Sequence, residues 1–232
     1  MATTFDPKDF AHHPIIDNPF FPLEPGTTFI YDSPTDATFK DTVKVTNQIK
    51  MIDGVRCEAV VDTVVQDGQI VEKTTDYYAQ DKAGNVWYFG EDTKEFENGH
   101  VVSTEGTWRA GVDGAQPGII MEANPQVGDS YDQENAFPVA QDHAEVLSLD
   151  GSANGLQHLL VTLETNPLEP GASDTKYYQK GVGQVLAHDN VTLEDEQLAS
   201  VLHRHPMHEH DNVAGEADHL ASLLPPQHHS DW

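Results

Sequence analysis

The 232-residue sequence predicts an all-β fold, a single antiparallel meander forming a curved sheet or barrel, followed by a short helical or disordered C-terminal tail. Two observations point there. Between Gly26 and about Asn190, runs rich in β-branched and aromatic residues alternate with turn signals, and helical spacing is almost missing. Two of the turns, Asp67-Gly68 and Asn98-Gly99, are strong two-residue hairpin signals, and such turns join only antiparallel neighbours.

In chain order, residues 1–25 read as an extended N-terminal arm. Pro7, Pro14, Pro19, Pro22 and Pro25 each remove a backbone donor and bias the preceding residue away from helix. The apolar pairs Ile15-Ile16 and Phe20-Phe21 are placed to pin the arm to the body. Residues 26–190 form the β domain, opening with GTTFIYD, TFKDTVKVTNQI and GVRCEAVVDTVV, then turning at Asp67-Gly68 into QIVEKTTDYYAQ. DKAGN turns the chain into VWYFGED, and Asn98-Gly99 joins TKEFE to HVVSTEGTW. Residues 110–138 are rich in Gly and Pro and long for a connection, which marks a functional loop, with short edge strands expected at Gly118–Glu122 and Asp129–Gln133. VAQDHAEVLSL, LQHLLVTLET, TKYYQ and GVGQVLAHD complete about eight to ten strands. Residues 191–232 are read as a His-rich tail with one or two short helices. Thr192 and Asp195 form a capping pair ahead of Leu193, Leu198, Val201 and Leu202, and GEADHLASLL offers a second helix.

Composition narrows the function classes. Against 39 acidic residues stand only 12 basic ones, a formal charge of -27, and such a surface repels phosphate backbones. Nucleic acid and anionic membranes are therefore excluded as partners, while cations and metal ions suit it. Cys57 is the single cysteine, so no internal disulfide forms, and its alternating context makes it a small core residue. No stretch approaches the ~20 apolar residues of a membrane span. The first residues carry neither the basic start nor the apolar core of a leader. A soluble cytoplasmic protein is expected, the alternative being a secreted relative whose leader is absent.

The segments NPFFPLEPGTTFIY, DYYAQDKAGNVWYFGEDTKEF, GTWRAGVDGAQPGIIM and TKYYQKGVG resemble a widespread, uncharacterised bacterial all-β family, often carried with an export signal. The resemblance covers roughly residues 18–186 and implies a curved sheet of the kind seen in lipoprotein carriers, without implying a reaction. It directs attention to Asp76, Gln80, Asp81, Asn85, Trp87, Tyr88, Glu91, Asp92, Trp108, Asp113, Met121, Tyr131, Glu134 and Asp142. This chain departs from the family pattern in lacking an export leader and in its His-rich end after Val185.

The residues support three functions. The first is a soluble, non-enzymatic binding protein that holds a small, largely apolar ligand between the curved sheet and the 110–138 loop. Trp87, Tyr88, Trp108, Met121 and Tyr131 supply area, while Glu91, Asp92 and Asp113 orient a polar or cationic end. The second is an enzyme of lyase, isomerase or hydrolase type in the same cavity, with Glu134, Asp142 or His143 as acid or base. Asp142-His143-Ala144-Glu145 also reads as an ordinary exposed ladder with a salt bridge, and no serine lies in a Gly-x-Ser-x-Gly elbow. The third is binding of a divalent metal, Zn or Cu, through His203, His205, His208 and His210, which a solvated tail also explains.

Overall fold

Residues 67 and 68 take φ values of 53° and 74°, and residues 98 and 99 take 50° and 77°, so both predicted hairpins form. Asp53-Gly54 and Asn154-Gly155 repeat the same pair of left-handed values and make two further two-residue turns. The computed structural model describes residues 5–203, and fifteen strands make up one sheet. They are β1 (Thr27–Asp32), β2 (Lys40–Ile52), β3 (Val55–Gln66), β4 (Gln69–Gln80), β5 (Val86–Glu97), β6 (His100–Ser103), β7 (Trp108–Arg109) and β8 (Gln116–Met121). β9 (Ser130–Asp132), β10 (Glu134–Asn135), β11 (His143–Ala153), β12 (Leu156–Thr165), β13 (Ser173–Gln179), β14 (Gly183–Asp189) and β15 (Asp195–His203) complete the set.

The neighbour order is β10-β8-β5-β4-β3-β2-β1-β15-β14-β13-β12-β11-β9, with β6 and β7 also pairing with β5, and every ladder is antiparallel. The two ends of this order, β9 and β10, follow one another in the chain with Gln133 alone between them. That adjacency nearly closes the sheet into a barrel. At the seam a Cβ on Gly118 would lie 2.3 Å from the Gln133 carbonyl oxygen, so only glycine admits the close approach of β8.

Several local readings change. VWYFGED and TKEFE are one strand, β5, while HVVSTEGTW divides into β6 and β7. The predicted edge strand at 118–122 is β8, which lies between β5 and β10. The helix expected from Thr192 to Leu202 is strand β15, paired with β1 on one side and β14 on the other. A short helix gains only local bonds, whereas this segment satisfies two open ladders at once and buries Leu198. Asp189 turns the chain into it, accepting from the backbone N–H of Val191 at 2.7 Å and of Thr192 at 3.0 Å. The second expected helix lies outside the described residues.

The N-terminal arm works as a strap. Phe5 and Phe10 pack on the outward rings of Trp87 and Phe89, with centroids 5.4–6.3 Å apart. Ile16 and Leu23 face each other across a β-bridge and are buried, while Ile15 points to solvent. Asn18, 1% exposed, fastens the strap: its Nδ2 donates to the carbonyls of Gly84 (3.0 Å) and Glu122 (2.9 Å). Gln80 Oε1 accepts from the N–H groups of Asp17 and Asn18, both at 2.9 Å. Asp81 accepts from Asn85 Nδ2 and Trp87 Nε1, and Asn85 Oδ1 accepts from the Ala123 N–H. Replacing Asn18 by alanine leaves buried carbonyls without donors and is expected to cost about 2–3 kcal/mol in urea unfolding. A loss below about 0.5 kcal/mol would show that the strap is held elsewhere.

Candidate functional site

Alternation along the strands sends every second side chain into the barrel. Phe29 and Tyr31 on β1, Asp41 and Val43 on β2, Val60 and Asp62 on β3, Asp76 and Tyr78 on β4, and Lys176 and Tyr178 on β13 all enter in this way. Together they line an inner chamber of about 250 Å³, completed by Glu196 from β15 and Ile120 from β8, with Phe21, Pro22 and Leu23 of the strap on one side. An acidic outer chamber of about 340 Å³ takes in Asp36, Asp174, Asp189, Glu194 and Asp195. Lys176 and Glu196 line both chambers and so stand at their junction.

The inner chamber has an apolar part, formed by Phe21, Leu23, Phe29, Val43, Val60 and Ile120, and an acidic part. Asp41 is 5% exposed, and its Oδ1, like Oδ1 of Asp62, has no hydrogen-bond partner among the described residues. Burial raises the Asp41 carboxyl far above the ordinary carboxylate range, and the neighbouring Asp62 and Glu196 push it the same way. Asp62 and Glu196 are raised as well, chiefly by burial. Lys176 does not neutralise this group alone, because its Nζ lies 2.6 Å from Glu164 Oε2. Glu164 Oε1 also accepts from Gln133 (3.0 Å), Tyr178 (3.2 Å) and Thr162 (3.3 Å). Burial alone would lower the Lys176 ammonium, but the charges of Glu164, Asp174 and Asp142 outweigh it and the net shift is upward.

Beside the chamber lies a second buried acidic group. Tyr88 donates to Asp76 at 2.6 Å and also reaches Glu91 at 3.2 Å. Its ring stacks on Tyr78 at 4.8 Å and meets the edge of Trp108 at 5.5 Å. Trp108 Nε1 donates to Glu134 Oε1 at 3.1 Å. Burial is the main cause of each upward shift: Asp76 well above its usual range, Glu91 to about 7 and Glu134 to about 8, the last helped by Asp142 and Glu91. Burial thus favours the neutral form of several of the carboxyls counted in the formal charge of -27.

Six of the residues singled out in the sequence, Asp76, Tyr88, Glu91, Trp108, Glu134 and Asp142, belong to this buried group, and Oδ1 of Asp142 is buried with no partner among the described residues. The remainder stand apart. Trp87 faces outward under the strap and donates to Asp81, so it takes no part in the chamber. Asp92 alternates away from Glu91 and is held by both its carboxylate oxygens to Arg109, with Lys50 at 3.5 Å and the Tyr77 hydroxyl at 2.7 Å. Asp113 is an exposed turn residue with φ 51°. Met121 is fully buried opposite Val86, and its neighbour Ile120 lines the chamber in its place. Tyr131 is buried, its hydroxyl has no partner among the described residues, and it lines neither chamber.

His143 lies on the outer face and cannot act with Glu134 and Asp142. Its Nδ1 is 3.0 Å from Asp132 and its Nε2 is 2.7 Å from Ser130 Oγ. The order serine–imidazole–carboxylate is notable, yet the trio is open to solvent and outside both chambers, where water competes for each bond. His203 is exposed with its Nδ1 3.1 Å from the Thr27 hydroxyl; His205, His208 and His210 lie outside the described residues. Among the described residues no group of three or more His, Cys, Asp or Glu side chains is arranged to hold a metal ion, and no helix is long and apolar enough to cross a membrane.

The residues that sequence reasoning missed are Asp41, Asp62, Lys176 and Glu196. Their signal was present as charges at every second position beside Val43, Val60, Tyr178 and Leu198, on the face that carries the apolar residues. Placing charges outward by default hid it.

No protein-family model matches the chain, and no curated protein matches it. Among solved structures it is similar to a candidate exported protein with a YmcC-like fold from Bacteroides fragilis, at 13% identity and a TM-score of 0.44, over 78% of this chain and 98% of that one. It is also similar to a candidate lipoprotein from Parabacteroides distasonis, at 10% identity and a TM-score of 0.40, over 78% of this chain and 97% of that one. The expectation of a cytoplasmic protein is corrected by this finding, since the structures it resembles are named as an exported protein and as a lipoprotein.

Proposed function

We propose that this chain is a binding protein that holds one small, largely apolar ligand with a polar end inside the barrel. The supporting observation is the inner chamber itself, apolar on the side of Phe21 and Leu23 and lined with incompletely paired carboxyls at Asp41 and Asp62 on the other. Buried polar groups without partners cost stability unless something supplies the missing bonds, so such groups are kept where a ligand completes them. At water's share of ~30 Å³ per molecule, the volume of about 250 Å³ suits a ligand of about eight non-hydrogen atoms. Kinship over residues 18–186 with the bacterial family is part of the proposal. Its motif residue Gln80 supports it by clasping the strap that forms the chamber's apolar side, while Asp81 and Asn85 brace the adjoining turn.

Six-carbon amphiphiles test the proposal: hexylammonium, 1-hexanol and hexanoate, each titrated while the Val43, Val60 and Ile120 methyl resonances are followed. At least one is expected to shift these methyls saturably with one-to-one stoichiometry. Ile120→Trp and Val60→Phe fill the chamber, and either folded variant is expected to abolish the shifts. Unchanged methyls with all three probes, or binding that survives both filling variants, would remove the chamber as the ligand site.

A further inference from the structure

Resting on the chamber as a binding site, the geometry points to its ligand class: we propose that it takes a primary alkylammonium ion, whose cationic head displaces a proton from the Asp41, Asp62 and Glu196 group into solvent. Three carboxyls from three strands meet there, and an ammonium carries three N–H donors, one for each. Asp41 supplies the independent sign of a missing partner. It is 5% exposed, it lines the chamber, and its Oδ1 has no donor among the described residues.

The other groups around Asp41 do not fill that role. Asp62 on β3 and Glu196 on β15 only share a proton with Asp41 in carboxyl–carboxyl hydrogen bonds, the proton that the ammonium would replace, and Asp76 on β4 is occupied by the Tyr88 hydroxyl at 2.6 Å. The Tyr31 hydroxyl on β1 donates to the Gln184 carbonyl at 3.3 Å. Among the described residues Lys176 on β13 is the one basic side chain lining the chamber, and Glu164 takes up its charge at 2.6 Å. A carboxylate ligand would add a negative charge to this group, and an alcohol offers one donor where three acceptors wait.

The chamber's layout also sets the ligand's direction. The alkyl chain lies against Phe21, Leu23, Val43 and Ile120, and the head sits toward the junction at Glu196. Beyond that junction the outer chamber presents Asp174, Asp189, Glu194 and Asp195, which raise the local concentration of cations at the entrance. Charge balances without any other reactant: the ammonium enters as a cation, one carboxylic acid ionises, and its proton leaves to buffer.

Calorimetry on the full chain tests the proposal, with hexylammonium, 1-hexanol and hexanoate at pH 7 in two buffers of different ionisation enthalpy. Hexylammonium is expected to bind at least tenfold more tightly than 1-hexanol and to release a measurable fraction of a proton. Its affinity should rise from pH 5.5 to pH 8, because protons compete with it for the carboxyls. Asp41→Asn and, as a second variant, Glu196→Gln should each cut the preference for hexylammonium over 1-hexanol at least tenfold. Equal binding of the amine and the alcohol without proton release would overturn the ammonium proposal and leave the chamber standing as an apolar site. Preference for hexanoate would overturn it too. Binding of none of the three probes would bring down the chamber as a ligand site, a failure distinct from the other two.

Discussion

Warming the protein at pH 8 is expected to unfold it well below its melting temperature at pH 5.5. Burial lifts Glu134 from an ordinary 4.5 to about 8 and Glu91 and Glu58 to about 7. A carboxyl raised in the folded state keeps a proton that the unfolded chain has already released. Below about pH 4.5 both states are protonated and the stabilising difference is complete. From there upward the unfolded chain holds fewer protons, so stability falls, and each group's loss levels off once its folded value is passed near pH 7–8. Each raised group contributes about 1.4 kcal/mol per pH unit within its window, so several together amount to a few kcal/mol and a fall on the order of 5–15 °C. Asp92, held low by the Tyr77 hydroxyl and by Arg109 and Lys50 against the opposing effect of burial, loses its contribution only below the usual aspartate range, outside this window. Scanning calorimetry across pH 5.5–8 checks the sign. A melting temperature that is flat or rises with pH would mean that the interior carboxyls are ionised and solvated, and Glu134→Gln should flatten part of the slope.

Lys176→Met should be among the most damaging single substitutions in the barrel. Lys176 faces Glu164 at 2.6 Å, and Glu164 is only 6% exposed. Removing the ammonium leaves a buried carboxyl whose three neutral donors, from Gln133, Thr162 and Tyr178, all fall on one oxygen. Breaking one side of such a buried pair typically costs about 3–5 kcal/mol. The double variant Lys176→Met with Glu164→Gln removes both charges and is expected to recover most of the loss. Urea midpoints at constant slope give the comparison, and a single-variant loss below about 1 kcal/mol would show that water already reaches Glu164.

The barrel was legible because its turns are chemically explicit. Asp67-Gly68 and Asn98-Gly99 require left-handed φ values, and the chain gives those dipeptides little choice. β15 was less legible, since Leu193, Leu198, Val201 and Leu202 satisfy a loose helical spacing, and only the open edges of β1 and β14 decide against it. The site divides for a similar reason. Tyr88, Trp108 and Glu134 stand in the distinctive aromatic segments and were singled out. Asp41, Asp62 and Glu196 look like solvent-facing charges until barrel closure turns their faces inward. Trp87 misled in the opposite sense: a tryptophan in a strand suggests a lined cavity, yet its ring is covered by Phe5 and Phe10 from a distant part of the chain.

The most direct measurement is an isotope-filtered NOE experiment on labelled protein saturated with unlabelled hexylammonium. Contacts from the ligand's terminal methyl to the Val43, Val60 and Ile120 methyls, with its amino-terminal methylene near Asp41, are the expected result. NOEs confined to outward residues such as Trp87 and Phe5, or no intermolecular NOEs from a saturated complex, would contradict a ligand chamber inside the barrel.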